Sequence, residues 1–123
     1  MADFRQLKVW KKAHEVTLDV YRVTQQFPKS ELYGLTSQMR RAAISIGSNI
    51  AEGRGRAGDA EFRRFIQIAS GSAAELEYQL MVARDLGYVP EAECASLSAR
   101  LAEVGRMLVS LRESVRTASA AMS

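Results

Sequence analysis

Three clusters of turn-forming residues restrict this chain more than any other feature: Phe27-Pro28-Lys29-Ser30, Gly53-Arg54-Gly55-Arg56-Ala57-Gly58 and Gly87-Tyr88-Val89-Pro90. With 2 Pro and 8 Gly in 123 residues, little else can interrupt an element. Between the clusters, apolar residues recur with the helical rather than the alternating period. The spacing predicts four helices, at about 3–26, 33–53, 59–86 and 90–117. Ser30 is read as an N-cap for the second helix, which begins between Ser30 and Leu35, and Gly53 as its C-terminal stop. Asp59 caps the third helix and Gly87 ends it. Met39, Ala42, Ala43, Ile46 and Ile50 form the core row of the second helix, and Phe62, Phe65, Ile66, Ala69, Ala73, Leu76, Leu80 and Ala83 that of the third. In the fourth, Cys94, Leu97, Leu101, Val104, Leu108, Leu111 and Val115 alternate steps of three and four, a coiled-coil-like seam. Short connections between long helices give antiparallel neighbours. The expected fold is therefore all-α, an up-down-up-down four-helix bundle in one domain, residues 1–123.

The first helix carries more apolar surface than one small bundle uses. Val9, Ala13, Val16, Val20 and Val23 form one row, and Leu7, Trp10, Leu18 and Tyr21 a second beside it. Together they cover about 200° of the helix, where a surface helix needs a stripe a little over 100° wide. The excess is expected to be buried against another subunit.

Composition narrows the function classes. One Cys gives no disulfide framework, and no apolar run reaches the roughly 20 residues of a membrane span. The N-terminal residues do not resemble a signal peptide, so the expected location is cytoplasmic. The net charge is only +3, but it is uneven: residues 1–57 hold 10 basic and 5 acidic groups, residues 58–123 hold 7 and 9. Such a bias is compatible with a polyanionic partner without requiring one.

Three segments of the chain resemble a known family. They are Phe27-Pro28-x-x-Glu31-x-Tyr33-Gly34-Leu35, Gln38-x-Arg40-Arg41-Ala42 and Ser45-x-x-x-Asn49-Ile50-Ala51-Glu52-Gly53. Glu61-Phe62-x-x-Phe65-x-x-x-Ala69-x-Gly71-Ser72-x-x-Glu75-Leu76-Glu77 continues the pattern, and Phe4-x-x-Leu7-x-x-Trp10-x-x-Ala13 precedes it. Over about 4 to 88 the sequence is similar to the four-helix-bundle family of 23S ribosomal RNA intervening-sequence proteins; the fourth helix matches in character alone. The resemblance implies a cytosolic bacterial bundle assembling into a ring, with a homopentamer expected. Some relatives are encoded within ribosomal RNA genes, and related bundles accompany reverse transcriptases of diversity-generating retroelements and bind RNA and the polymerase.

Catalytic chemistry finds little support in the residues. His14 and Cys94 stand alone and cannot form a metal site of usual composition. Gly53-x-Gly55-x-x-Gly58 has dinucleotide-binding spacing but follows a helix rather than a strand. Glu75 and Glu77 lie about 200° apart on a helix and do not converge, and Glu61 and Glu75 lack the Glu-x-x-His partner of di-iron bundles. The expectation is a protein without catalytic residues, cofactor or metal.

Two polar groupings remain. Arg41, Ser45, Asn49 and Glu52 fall within about 80° on the second helix, away from its core row. Ser72, Glu75 and Gln79 offer a counterpart on the third. The readings are a structural network or subunit interface, a solvated face, or a ligand contact. Arg40, Arg54, Arg56, Arg63 and Arg64, with Lys8, Lys11 and Lys12 behind them, are candidates for contacting RNA or DNA phosphates. No base-reading motif accompanies them, so binding would be backbone-dominated and salt-sensitive. The competing expectation is a scaffold ring that docks a protein partner, such as a reverse transcriptase, and has no nucleic-acid affinity of its own.

Overall fold

The computed structural model describes residues 3–56 and 58–122, with side chains to residue 115. The described chain forms one all-helical domain with four α-helices and no strand: α1 Lys8–Thr24, α2 Leu35–Arg54, α3 Asp59–Asp85 and α4 Glu91–Met122. Two single 3-10 turns, Phe4–Gln6 and Lys29–Glu31, precede α1 and α2.

The ends of the helices depart from the sequence reading for local reasons. The first helix was expected from about residue 3, but Leu7 is extended (φ −72°, ψ 126°) and separates the Phe4–Gln6 turn from α1. Asp3 caps that turn instead, accepting the Arg5 N–H at 2.9 Å. α2 is not capped by Ser30, which lies inside the second 3-10 turn. Its first N–H groups are met partly by Glu31, whose Oε1 accepts the Leu35 N–H at 3.2 Å. Gly53 does not stop α2. The helix runs on to Arg54, and the Gly55 N–H bonds back to the carbonyls of Ala51 and Glu52, both at 3.2 Å. Gly58, at φ 96°, occupies the cap position of α3 in place of Asp59, which is the first helical residue. The end of α3 follows the expectation. Gly87 is left-handed (φ 77°), its N–H reaches the Arg84 carbonyl, and the Tyr88 N–H reaches Ala83, both at 2.9 Å. α4 continues past the expected 117 to Met122.

A single core runs between the helices. Met39, Ile46, Ile50, Ile66, Leu76, Leu80, Leu97, Leu101 and Leu108 are fully or almost fully buried in it, as are Val16, Val20 and Val104. These are residues of the predicted rows. The seam of α4 holds through Leu108, while Leu111 and Val115 pack against the core from its margin. Pairs across the helices fix their neighbours. The indole of Trp10 faces Gly47, where an added Cβ would sit 3.3 Å from its Nε1. The Thr17 hydroxyl donates to the Ala43 carbonyl at 3.1 Å. Lys12 pairs with Glu103 at 2.9 Å and Arg100 with Asp19 at 2.6 Å, joining α1 to α4.

These contacts account for most of the surplus apolar surface of α1 within one chain. Leu7 packs at the α4 margin of the core, Trp10 meets Gly47 and the edge of Phe4, and Tyr21 lies beneath Arg40. Leu18, 43% exposed, is the member of the second row left outside. α1 packs against both α2 and α4, so the two rows, Leu18 apart, find partners in the same subunit.

Candidate nucleic-acid interface

The turn between α2 and α3 collects most of the arginines singled out by sequence. Phe62 and Phe65, in the first turns of α3, are buried and offer ring faces to guanidinium groups. Arg54 lies over Phe62 at 5.5 Å from its centroid, and Phe65 carries both Arg56 at 5.5 Å and Arg64 at 4.6 Å. Stacking of this kind holds a long side chain in place while leaving its N–H groups free to turn outward. Arg56 and Arg64 each meet a carboxylate as well. Arg56 Nη2 reaches Glu52 Oε1 at 2.9 Å, and Arg64 Nε reaches Glu61 Oε1 at 3.2 Å. The Arg64 guanidinium holds the Glu61 carboxyl below its ordinary range, and Glu61 in turn raises Arg64. A phosphate arriving here must therefore compete with Glu52 and Glu61.

Gly53 makes this end of the molecule close-packed. A Cβ on it would fall 2.6 Å from Phe65 Cβ and 3.2 Å from Phe62 Cδ1, so only the missing side chain lets α2 rest on the two rings.

Arg40 does not join this cluster. Its Nε donates to Thr24 Oγ1 at 2.9 Å and its Nη2 to the Tyr21 carbonyl at 3.4 Å, while the guanidinium covers the Tyr21 ring at 4.6 Å. It serves as a brace between α2 and the last turn of α1, where a cation also suits the helix dipole. At 1.5 Å per residue it lies about 21 Å along the α2 axis from Arg54. Arg63 turns toward α4. With Arg64, Gln67 and Arg112 it lines a polar groove of about 430 Å³. Arg112 was not among the sequence candidates, because nothing local in α4 marks it.

The polar stripe divides in two. Ser45 and Ser72 bring their hydroxyl oxygens to 2.8 Å across α2 and α3, and Asn49 Nδ2 donates to the Ser45 carbonyl and Oγ at 2.8 and 2.9 Å. This half-buried network lies within one subunit, in the α2–α3 seam. Small residues at 45 and 72 let the helices approach until the hydroxyls meet. Arg41, Glu52 and Glu75 stay exposed. Glu52 is engaged by Arg56 rather than by Arg41, which has no ion pair among the described residues. Gln79, the third residue of the counterpart on α3, is buried, and its Oε1 has no partner among the described residues.

His14 stacks on Trp10 (5.1 Å, 6° between planes), and the Cys94 thiol is buried 3.8 Å from the Leu80 carbonyl. Among the described residues, no group of three or more His, Cys, Asp or Glu converges as a metal site, and no helix is long and apolar enough to cross a membrane.

Comparison with known proteins places these features in a wider setting. Residues 5–110 match the family model described as 23S rRNA-intervening sequence protein. Among solved structures, a protein of unknown function from the S23 ribosomal protein family of Bacteroides thetaiotaomicron VPI-5482 is similar with a TM-score of 0.76. The two are 24% identical over 85% of this chain and 97% of that one, a likeness that speaks to the fold. No curated protein matches the chain.

Proposed function

The chain belongs to the 23S rRNA-intervening sequence protein family, and on that premise we propose that it is an oligomeric, non-enzymatic RNA-binding accessory protein of the cytoplasm. It works without cofactor or metal. Its four helices run antiparallel, up-down-up-down, and the bundle assembles into a ring of five copies. The observation that carries the RNA reading is the turn at 54–64, where Arg54, Arg56 and Arg64 are held on the faces of two buried phenylalanines at one end of the bundle. Guanidinium groups fixed in this way present forked donors to a phosphate backbone at low entropic cost. A ring repeats the turn around its axis, so weak contacts add by avidity. The family's link to 23S rRNA favours RNA over DNA as the polyanion. Arg40 is left out of the surface because Thr24 and Tyr21 already engage it.

The test is a double variant, Arg54→Ala with Arg56→Ala, in an anisotropy titration against single-stranded RNA. Affinity at about 50 mM salt falls roughly tenfold, and the log–log salt slope flattens by about 1.4 for two lost phosphate contacts. Wild-type affinity in the variant would remove the turn from the binding surface.

A second reading, the scaffold ring, is favoured by a different observation. Tyr33 is 94% exposed, with Leu32 and Leu86 also open to solvent. They flank two turns that the Tyr88–Glu31 hydrogen bond ties together. Such a surface suits a protein partner, a reverse transcriptase among them. Capture of one protein in stoichiometric amount after nuclease treatment, with no RNA affinity in the titration, would favour it over the first.

A further inference from the structure

The groove between α3 and α4 poses an electrostatic problem that the turn at 54–64 does not. Three guanidinium groups line it, from Arg63 and Arg64 on α3 and Arg112 on α4, together with the Gln67 amide. Their charges are unequally compensated. Arg64 is committed to Glu61, and among the described residues Arg112 has one long ion pair, with Glu113 at 3.7 Å. Arg63 has neither an ion pair nor a hydrogen bond among the described residues, and its Nη1 is buried without an acceptor. A half-buried cation with an unfilled donor is costly, and the field it sets up is stronger than at an open surface. The groove is polar and roomy, and its cations come from two helices that the core holds in register. Arg64 also lies over the Phe65 ring that carries Arg56, so one residue is shared between the groove and the turn.

We infer that this groove is a phosphate-binding site, in which Arg63 and Arg112 grip one phosphoryl group from opposite helices. That the group is a backbone phosphate of RNA rests on the RNA-binding reading given above; the phosphate chemistry does not. The four-oxygen shape and charge of a phosphoryl group match two forked guanidinium donors and an amide better than a carboxylate or halide would. The site lies outside the Gly-rich turn, and Arg112 becomes one of its two principal ligands.

Two measurements on the full chain decide it. In the first, inorganic phosphate is titrated into isotopically labelled protein while the side-chain Nε–H resonances of Arg63 and Arg112 are followed; both shift and saturate together. In the second, a fluorescein-labelled single-stranded RNA is titrated into wild type, the double variant Arg63→Gln with Arg112→Gln, and a charge-matched control, Arg22→Gln with Arg84→Gln. The control arginines pair with Asp19 and Asp85 away from the groove. At about 50 mM salt the groove variant binds roughly tenfold more weakly than the control, with a salt slope lower by about 1.4. Circular dichroism melts check that each variant is folded; if the double variant is not, Arg63→Lys with Arg112→Lys, which keeps the charge but loses the fork, replaces it and is expected to bind more weakly than the control with the salt slope unchanged.

RNA bound equally by the groove variant and the control, with no phosphate shift at Arg63 or Arg112, overturns the groove and leaves the RNA reading intact. Phosphate shifts at both arginines without RNA affinity keep the groove, assign it to a free phosphate-bearing molecule and overturn the RNA reading. Neither response overturns both.

Discussion

Glu31 is where two turns distant in the chain meet. Its Oε1 accepts the Leu35 N–H at the start of α2, and its Oε2 accepts the Tyr88 hydroxyl at 3.0 Å from the turn before α4. Phe27 packs on the same tyrosine, with ring centroids 5.4 Å apart. The hydrogen bond to Glu31, aided by desolvation, raises the Tyr88 phenol above its ordinary value of 10.0. Because the folded value is the higher one, the stability this bond contributes is complete below about pH 10 and is lost as pH climbs through the folded value. Thermal melts from neutral to strongly alkaline pH should show the wild type and Tyr88→Phe converging as the phenol ionises, the variant being less stable at neutral pH. Parallel curves throughout would mean that the bond contributes nothing. At this scale the sequence was a partial guide. Arg54, Arg56 and Arg64 could be grouped because they are neighbours in the chain. Arg40 reads from the sequence as one of the same set, but the structure places it apart from them, on Thr24 and Tyr21 across a turn on α1. Arg112 was missed for the same reason, as its companions are on another helix.

Among the elements, glycines separate what periodicity reveals from what it hides. Gly53 and Gly105 both sit within helices, yet their surroundings are opposite. A Cβ at Gly53 would strike the Phe65 Cβ, whereas one at Gly105 meets nothing within 4 Å. Gly105→Ala should stabilise the protein by about 0.5–1 kcal/mol through helix propensity. Gly53→Ala should instead destabilise it by about 1–3 kcal/mol, because overpacking outweighs that gain. Denaturant melts of the two variants test the contrast, and a stabilised Gly53→Ala would show that α2 can lift from Phe62 and Phe65 without cost. The reading of Gly53 as a stop failed here. A glycine at the end of a helical pattern looks the same whether it turns the chain or admits a neighbour. The core rows were legible because burial of a helix face imposes its period on many residues at once. Ser45 and Ser72 could be placed on facing sides but not joined, since their contact depends on how closely α2 approaches α3.

At the scale of the whole molecule, the proposed ring is tested by counting copies in solution. Leu18 and Ile44, 43% and 45% exposed, with Ile68, Tyr78, Met81 and Val109, leave apolar surface outside the bundle on several helices. Light scattering coupled to size exclusion at about 50 mM salt should give a particle near five times 13.6 kDa, with 260 nm absorbance that disappears at high salt. A monomer would remove both the ring and the avidity argument. The buried Cys94 adds a practical consequence. Its thiol, the single one in the sequence, is enclosed between α3 and α4, so a maleimide can reach it only when those helices part. Labelling kinetics thus read the opening equilibrium of one helix pair directly. The native chain comes with its own gauge of breathing, and any partner that clamps α3 to α4 will slow the clock.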